Sequence, residues 1–335
     1  MDTHALTDAQ LAGQRLMAGF SGTELDTELR HLMRELKVGG LILFSRNIQD
    51  PPQVRHLCRS VQQYAGSCGQ PPLFIAVDQE GGRVARLKAP FTEFPGQPHI
   101  RTPADAIRFG DTTGRELFDA GINMNMAPVL DVAPRDADSV MAGRVFGHDP
   151  AHAGQMGSLV IYHLQKNGVL AVGKHFPGIG RTTLDSHRDL PTLDCPLDRL
   201  EACDLLPFKK AIEAQAAGMM LSHIRYTAID PQWPASLSPR VTALLRDKLG
   251  YKGLVLTDDL DMGAIANYYD TRTAMRQLLR ADVDVALICH PGPAIETAFS
   301  EISAQMAADA DLSARGRISA ERVIQAKAKL TGGVL

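Results

Sequence analysis

Short apolar runs in this chain end repeatedly in ionisable side chains. Asp78-Gln79-Glu80 follows the run 73–77, Lys174-His175 follows 169–172, Ser222-His223 follows 218–221, and Asp258-Asp259 follows 254–257. Asp185-Ser186-His187 stands apart, inside the Gly- and Pro-containing stretch 176–191 (FPGIGRTTLDSHRDLP), which has no apolar period. A carboxylate two residues from an imidazole can orient the ring and stabilise its charged form, an arrangement suited to general acid–base work. Carboxylates at strand ends can act as nucleophiles or grip hydroxyls, and Lys174 offers a Schiff-base amine or a cation for a polar ligand. Each residue also has a plainer use. An Asp after a strand often caps the next helix, Asp-x-His is equally an exposed turn, and a His or Lys there often bonds the backbone. Caps do not require Asp78, Lys174, His175, His223 and Asp258 to meet on one rim, whereas a polar pocket does.

Eight Val/Ile/Leu/Met-rich segments are of the type buried on both faces of a parallel sheet: 16–20, 40–44, 73–77, 122–126, 169–172, 218–221, 254–257 and 283–289. Between them lie stretches of helical period at 25–37, 53–65, 104–120, 151–166, 198–216, 239–249 and 265–281, with a charged final stretch at 294–330. In 151–166, Met156, Leu159, Val160 and Leu164 form one apolar stripe, and Ser238-Pro239 supplies a cap and a first-turn proline for the helical stretch 239–249. No G-x-G-x-x-G follows the first strand, so a doubly wound dinucleotide fold is disfavoured. The pattern predicts an α/β fold, a single (β/α)8 TIM-type barrel occupying residues 1–335 as one domain. In such a barrel the chemistry collects at the C-terminal ends of the strands, and 176–191 is expected to be a mobile loop over that rim.

Of the 335 residues, 44% are hydrophobic and 22% charged, the composition of a folded globular chain. The net charge of −3 and the lack of a basic run argue against nucleic-acid or acidic-membrane partners. No apolar run approaches membrane-spanning length, and the N-terminal MDTHALTDAQ lacks the features of a signal peptide, so a cytoplasmic location is expected. Five scattered cysteines without C-x-x-C are read as free thiols. With no H-x-H after the first strand, no H-E-x-x-H and no P-loop, neither a metal nor a cofactor is expected.

The motifs Lys174-His175-Phe176-Pro177-Gly178, Asp185-Ser186-His187 and Thr257-Asp258-Asp259-Leu260 resemble those of glycoside hydrolase family 3. Within it the chain is similar to the single-domain bacterial β-N-acetylhexosaminidases of peptidoglycan recycling. GGLILFSRN at 39–47, VDQEGGRVAR at 77–86, APVLDV at 127–132 and the segment 253–262 extend the match in the same order. The resemblance implies a (β/α)8 barrel that removes terminal β-linked N-acetylglucosamine with retention, acting on N-acetylglucosaminyl-1,6-anhydromuramyl peptides. It implies Asp258 as nucleophile, His187 as acid/base with Asp185 as its partner, and Asp78, Arg86, Arg144, Lys174 and His175 as sugar-binding residues. The implied partner is the glycan alone, with no obligate protein partner. Two places depart from the family pattern. Ile179 stands where a histidine is common in Pro-Gly-His-Gly, and Gly143 and Val145 flank Arg144 where an acidic residue and a serine are usual. Rival readings are a glycoside phosphorylase using the same intermediate, a non-catalytic sugar-sensing barrel, a Lys174 Schiff-base aldolase and a metal-dependent hydrolase.

Overall fold

The computed structural model describes residues 6–135 and 138–331. Its centre is a closed barrel of eight parallel strands: β1 (Leu16–Ala18), β2 (Gly40–Leu43), β3 (Phe74–Val77), β4 (Met124–Asn125), β5 (Leu170–Phe176), β6 (Gly218–Leu221), β7 (Leu254–Asp259) and β8 (Val285–Ile288). Each strand pairs with its neighbour in sequence, and the pairing of Met17 with Gly40 and of Leu16 with Ala286 places β1 between β2 and β8 to close the ring. This is the (β/α)8 barrel expected from the alternation of apolar runs and helical stretches.

The two-residue period of a strand sorts its side chains into two cores. Met17, Ile42, Phe74, Met124, Val172, Met220, Leu256 and Leu287 point inward and fill the barrel. Their neighbours Leu16, Leu41, Ile75, Ala171, Met219, Val255 and Ala286 point outward and meet the helices. The strands are buried on both faces, so the sequence shows them as continuous apolar runs.

Helix starts follow local capping chemistry. Asp50 caps Pro51–Ser67, Asp149 caps Pro150–Lys166, and Thr102 with Asp105 forms a capping box on Pro103–Asp119, all three with proline in the first turn. Three long helical expectations break up. The stretch 198–216 contains a π-helical turn at Leu200–Asp204, and 239–249 contains another at Leu244–Lys248. The stretch 265–281 divides into Gly263–Ala266 and Thr271–Arg280, because Asp270 leaves the helix and caps the second piece. The charged final stretch is two helices, Pro293–Ala308 and Ala310–Thr331. From the second, Val323 and Ala326 join the inner core, while Lys327 Nζ donates to Gln14 Oε1 at 2.6 Å beside the Phe74 ring.

Both strands with the most chemistry run further than their apolar segments. β5 continues through Lys174 and His175, and β7 continues through Asp258 to Asp259. Each carries a register shift there, between Lys174 and Phe176 on β5 and between Leu256 and Asp259 on β7. Such irregularities at a barrel rim re-aim side chains. Among the described residues no helix is long and apolar enough to cross a membrane.

Candidate active site

One cleft at the C-terminal rim is lined by Asp78, Arg86, Arg144, Lys174, His175, His187 and Asp258, with Ile42, Met126, Met220 and Leu287 as its apolar floor. Its free space, open mouth included, is about 620 Å3. Seven of the eight residues implied by the resemblance therefore meet there, and Asp185 stands behind His187.

Asp258 lies near the end of β7. Its Oδ1 accepts the backbone N–H of Asp259 at 2.8 Å, and its Oδ2 faces His175 Nε2 across 4.0 Å, too long for a hydrogen bond. Burial pushes its pKa up, but His175, His223, the Asp259 N–H and Lys174 outweigh that effect and hold it below the ordinary carboxylate value. The result is an ionised carboxylate with one oxygen unspent.

The cations of the cleft are not loose. Lys174 Nζ lies 2.7 Å from Asp78 Oδ1 and 2.7 Å from Glu80 Oε1. Arg86 bonds Asp78 at 3.2 Å, and Arg144 grips Glu80 with two bonds of 2.7 and 3.0 Å. Burial alone would raise the pKa of Asp78, yet Lys174 and Arg86 bring it far below the usual range. Glu80 is likewise lowered, by Lys174 and Arg144 against its burial. The chain of alternating charges fixes the side chains at the cleft wall before any ligand arrives.

His187 and Asp185 are exposed at 68% and 47% of their side chains, and His187 Nδ1 lies 2.8 Å from Asp185 Oδ1. Burial of Asp185 opposes its ionisation, while the N–H and ring of His187 overcome this and lower its pKa. The loop that carries the pair rests on the segment after β7. Gly263 N–H donates to His187 O, Ala264 N–H to Ser186 O and Asn267 Nδ2 to Arg188 O, and the Tyr268 hydroxyl donates to Asp189. A Cβ on Gly263 would lie 2.5 Å from Arg188 O, so only glycine permits this approach. The loop of His187 is thus seated on the helix that begins four residues after Asp259.

The sequence reading missed Glu80 and Asp131 as site residues. Glu80 is two residues from Asp78 in an extended segment, a spacing that sends both carboxylates to one face. Asp131 is fully buried, lies 2.8 Å from His175 Nδ1, accepts the Ile179 N–H at 2.8 Å, and is 44 residues from His175 in the chain. His223 does not line the cleft: it is buried behind Asp258 and Asp259, with Nδ1 at Ser236 Oγ and Nε2 donating to Asp259 O. Of the departures from the family pattern, Ile179 and Val145 are buried, and Gly143 has no neighbour closer to a Cβ than 4.0 Å.

Asp259 differs sharply from Asp258. Its Oδ1 accepts the N–H groups of Cys289 and Asp261, and burial together with the Asp261 charge pushes its pKa up to about 6. Asp259, Asp261 and His290 bring one ligand-type atom each within 4.8 Å of one another, held by hydrogen bonds from Asp261 N–H to Asp259 and from His290 N–H to Asp261. The Cys289 thiol, on the cleft wall, is raised well above its ordinary pKa by burial and by Asp259, which removes it as a nucleophile. Because the Asp259 pKa is raised on folding, the folded protein binds more protons than the unfolded chain between about pH 4 and 6, and stability from this group falls as pH rises through that window. Asp259→Asn should therefore raise stability at pH 7 by up to about 3 kcal/mol and change little at pH 4, as read by urea unfolding at both pH values. An equal effect at both would contradict the assignment.

The chain matches the Glycosyl hydrolase family 3 N terminal domain over residues 9–329. It belongs to that family. It is 39% identical over 287 residues to a beta-hexosaminidase of Alkalilimnicola ehrlichii, covering 82% of this chain and 81% of the relative. It is 37% identical over 320 residues to beta-hexosaminidase A of Pseudoalteromonas piscicida, covering 84% of this chain but 54% of that protein. A solved glycoside hydrolase family 3 β-N-acetylglucosaminidase from Paenibacillus sp. str. FPU-7 superposes with a TM-score of 0.93 at 35% identity, over 98% of this chain and 63% of the other. The family 3 chain thus spans little more than half the length of some relatives and most of the length of others.

Proposed function

We propose that this family 3 chain is a retaining exo-β-N-acetylglucosaminidase. The observation that carries the reading is the pairing, across one cleft, of an ionised carboxylate with a free oxygen at Asp258 and an imidazole at His187 backed by Asp185. The names of the relatives, beta-hexosaminidase and β-N-acetylglucosaminidase, support the sugar class.

Asp258 Oδ2 attacks the anomeric carbon, the bond from that carbon to the leaving oxygen breaks, and His187 gives its proton to that oxygen. Water then attacks the glycosyl-enzyme, His187 takes a proton from it, and the bond to Asp258 breaks. Two displacements at one carbon retain its configuration. Asp259 is the poorer nucleophile, because two backbone N–H groups occupy one of its oxygens and its raised pKa favours the acid form at the acid end of the working range. Asp78, Arg86, Arg144, Lys174 and His175 hold the sugar hydroxyls. Ion pairs with one another and with Glu80 keep the charged ones in place, so little ordering is left to the moment of binding.

The finer reading is a cytoplasmic enzyme of peptidoglycan recycling, with residues 1–335 acting as one catalytic domain on N-acetylglucosaminyl-1,6-anhydromuramyl peptides. Release of p-nitrophenol from the β-N-acetylglucosaminide, followed by N-acetylglucosamine release from anhydromuropeptides, tests both levels. An inactive wild type that still binds N-acetylglucosamine would instead support a sensing barrel. One observation favours a second enzyme reading: an imidazole in the acid/base position does not repel phosphate as a carboxylate would. Product analysis with phosphate present separates the two, since phosphorolysis yields the sugar 1-phosphate.

The loop 176–191 opens and closes over the cleft in this reading, and the Tyr268–Asp189 bond holds the closed form. Tyr268→Phe removes one hydrogen bond at an exposed ring and should lower kcat/KM by about two- to tenfold. Hydrogen exchange at 181–189 should rise in parallel. Unchanged exchange and unchanged kcat/KM would remove the latch from the account.

A further inference from the structure

We propose that Asp131 is a positioning residue, one buried anion that sets both the face of His175 presented to the sugar and the root of the loop carrying His187. The inference rests on the glycosidase reading above and deepens it. Asp131 has no exposed surface, and one of its oxygens lies 2.8 Å from His175 Nδ1. The other oxygen accepts the backbone N–H of Ile179 at 2.8 Å and that of His175 at 3.3 Å. Two backbone N–H groups already donate to this carboxylate, and with Asp131 acting as acceptor the ring nitrogen facing its other oxygen carries the proton. That assignment leaves Nε2 as the atom turned toward Asp258, 4.0 Å away and without a hydrogen bond to it.

A 4.0 Å gap between the imidazole and the nucleophile leaves Nε2 unspent and aimed into the cleft. With Nδ1 held by Asp131, Nε2 is the ring atom left for a sugar hydroxyl, and Asp258 Oδ2 stays free to attack. The opposite tautomer would carry its proton on Nε2 and point it at the nucleophile, competing for the oxygen that must form the new bond. The same carboxylate bonds Ile179, four residues past His175 and eight before His187 in the chain. Orientation of the sugar-facing ring and seating of the acid/base loop thus share one anchor. This also accounts for Ile179. The backbone N–H, not the side chain, makes the contact, so an apolar residue there keeps it.

Asp131→Asn is the informative change. The amide oxygen can keep the Ile179 bond while its NH2 donates to Nδ1, which moves the ring proton to Nε2. Two measurements decide. In 15N-histidine-labelled wild type, with His175→Gln used to assign its signals among the 11 histidines, Nδ1 should be protonated, and in Asp131→Asn the proton should shift to Nε2. On the aryl β-N-acetylglucosaminide, Asp131→Asn should lower kcat/KM at least about tenfold in the wild-type background and less than about twofold in a His175→Ala background. A loss of equal size in both backgrounds, a wild type with unprotonated Nδ1, or an Asn variant within twofold of a functioning wild type would each overturn the proposal. If Asp131→Asn does not fold, titration of labelled wild type with N-acetylglucosamine takes its place. A shift at Nε2 with the Nδ1 proton retained supports the role, and a lost Nδ1 proton or a silent Nε2 overturns it. A wild type inactive on every glycoside would sink the glycosidase reading alone, because the tautomer is read from the spectrum.

Discussion

Asp258→Ala should abolish hydrolysis of p-nitrophenyl β-N-acetylglucosaminide, with a loss in kcat on the order of 10^4-fold or more and no loss of fold. The size reflects the role. A good leaving group needs little help from an acid, so in the proposed mechanism the covalent bond to Asp258 would carry the first step alone. The variant leaves a gap at the rim of the barrel, not in its apolar core, and gives up only the contacts that hold the Asp258 pKa down, so the fold should hold at a modest cost in stability. Azide has room to enter the gap, and rescued turnover should yield the α-glycosyl azide, the product of one displacement where the wild type makes two. Retention of more than about 1% of wild-type activity would move the nucleophile elsewhere, since removal of a covalent catalyst costs far more than this.

His187→Ala divides substrates by their leaving groups. For a natural sugar aglycone the departing alkoxide needs a proton, and kcat/KM should fall by about 10^3-fold, within the usual range for a lost general acid. For p-nitrophenol, kcat/KM should fall less than about tenfold, while removal of the base slows the second step, so glycosyl-enzyme accumulates and a burst of p-nitrophenol appears. The exposure of His187 makes the variant safe for the fold. Equal losses on both substrates would contradict the acid assignment. Asp185 is 2.8 Å from His187 Nδ1, so Asp185→Asn should show the same division between substrates with smaller losses.

Much of this site is legible in the sequence because a parallel barrel writes its strands as apolar runs and places the residues after each run on one rim. Asp78, Lys174, His175 and Asp258 are readable in that way. The true extent of β5 and β7 is not, because polar residues such as Lys174 and Asp258 end an apolar run while the ladder to β6 and β8 continues past them. Glu80 is within reach, since the alternation of an extended segment puts it on the face of Asp78. Asp131 ends the segment after β4 much as Asp78 and Asp258 end theirs, but nothing local names its partner. Its partner His175 is brought to it only by the closing of β5 beside β4, and the hydrogen bond between them is a property of the barrel. The break in 265–281 comes from Asp270, which caps the second piece, and it leaves Asn267 at the end of the first, where its side chain bonds Arg188 O.

The most direct test of the central claim is a trapping experiment. The wild type is incubated with a 5-fluoro N-acetylglucosaminyl fluoride, whose fluorine slows breakdown of the intermediate more than its formation, and intact mass and peptide maps are recorded. The account predicts one added glycosyl group, on the peptide containing Asp258, absent from Asp258→Ala and lost on incubation with water as activity returns. Turnover without an adduct, or an adduct on Asp259 or any other residue, would contradict it.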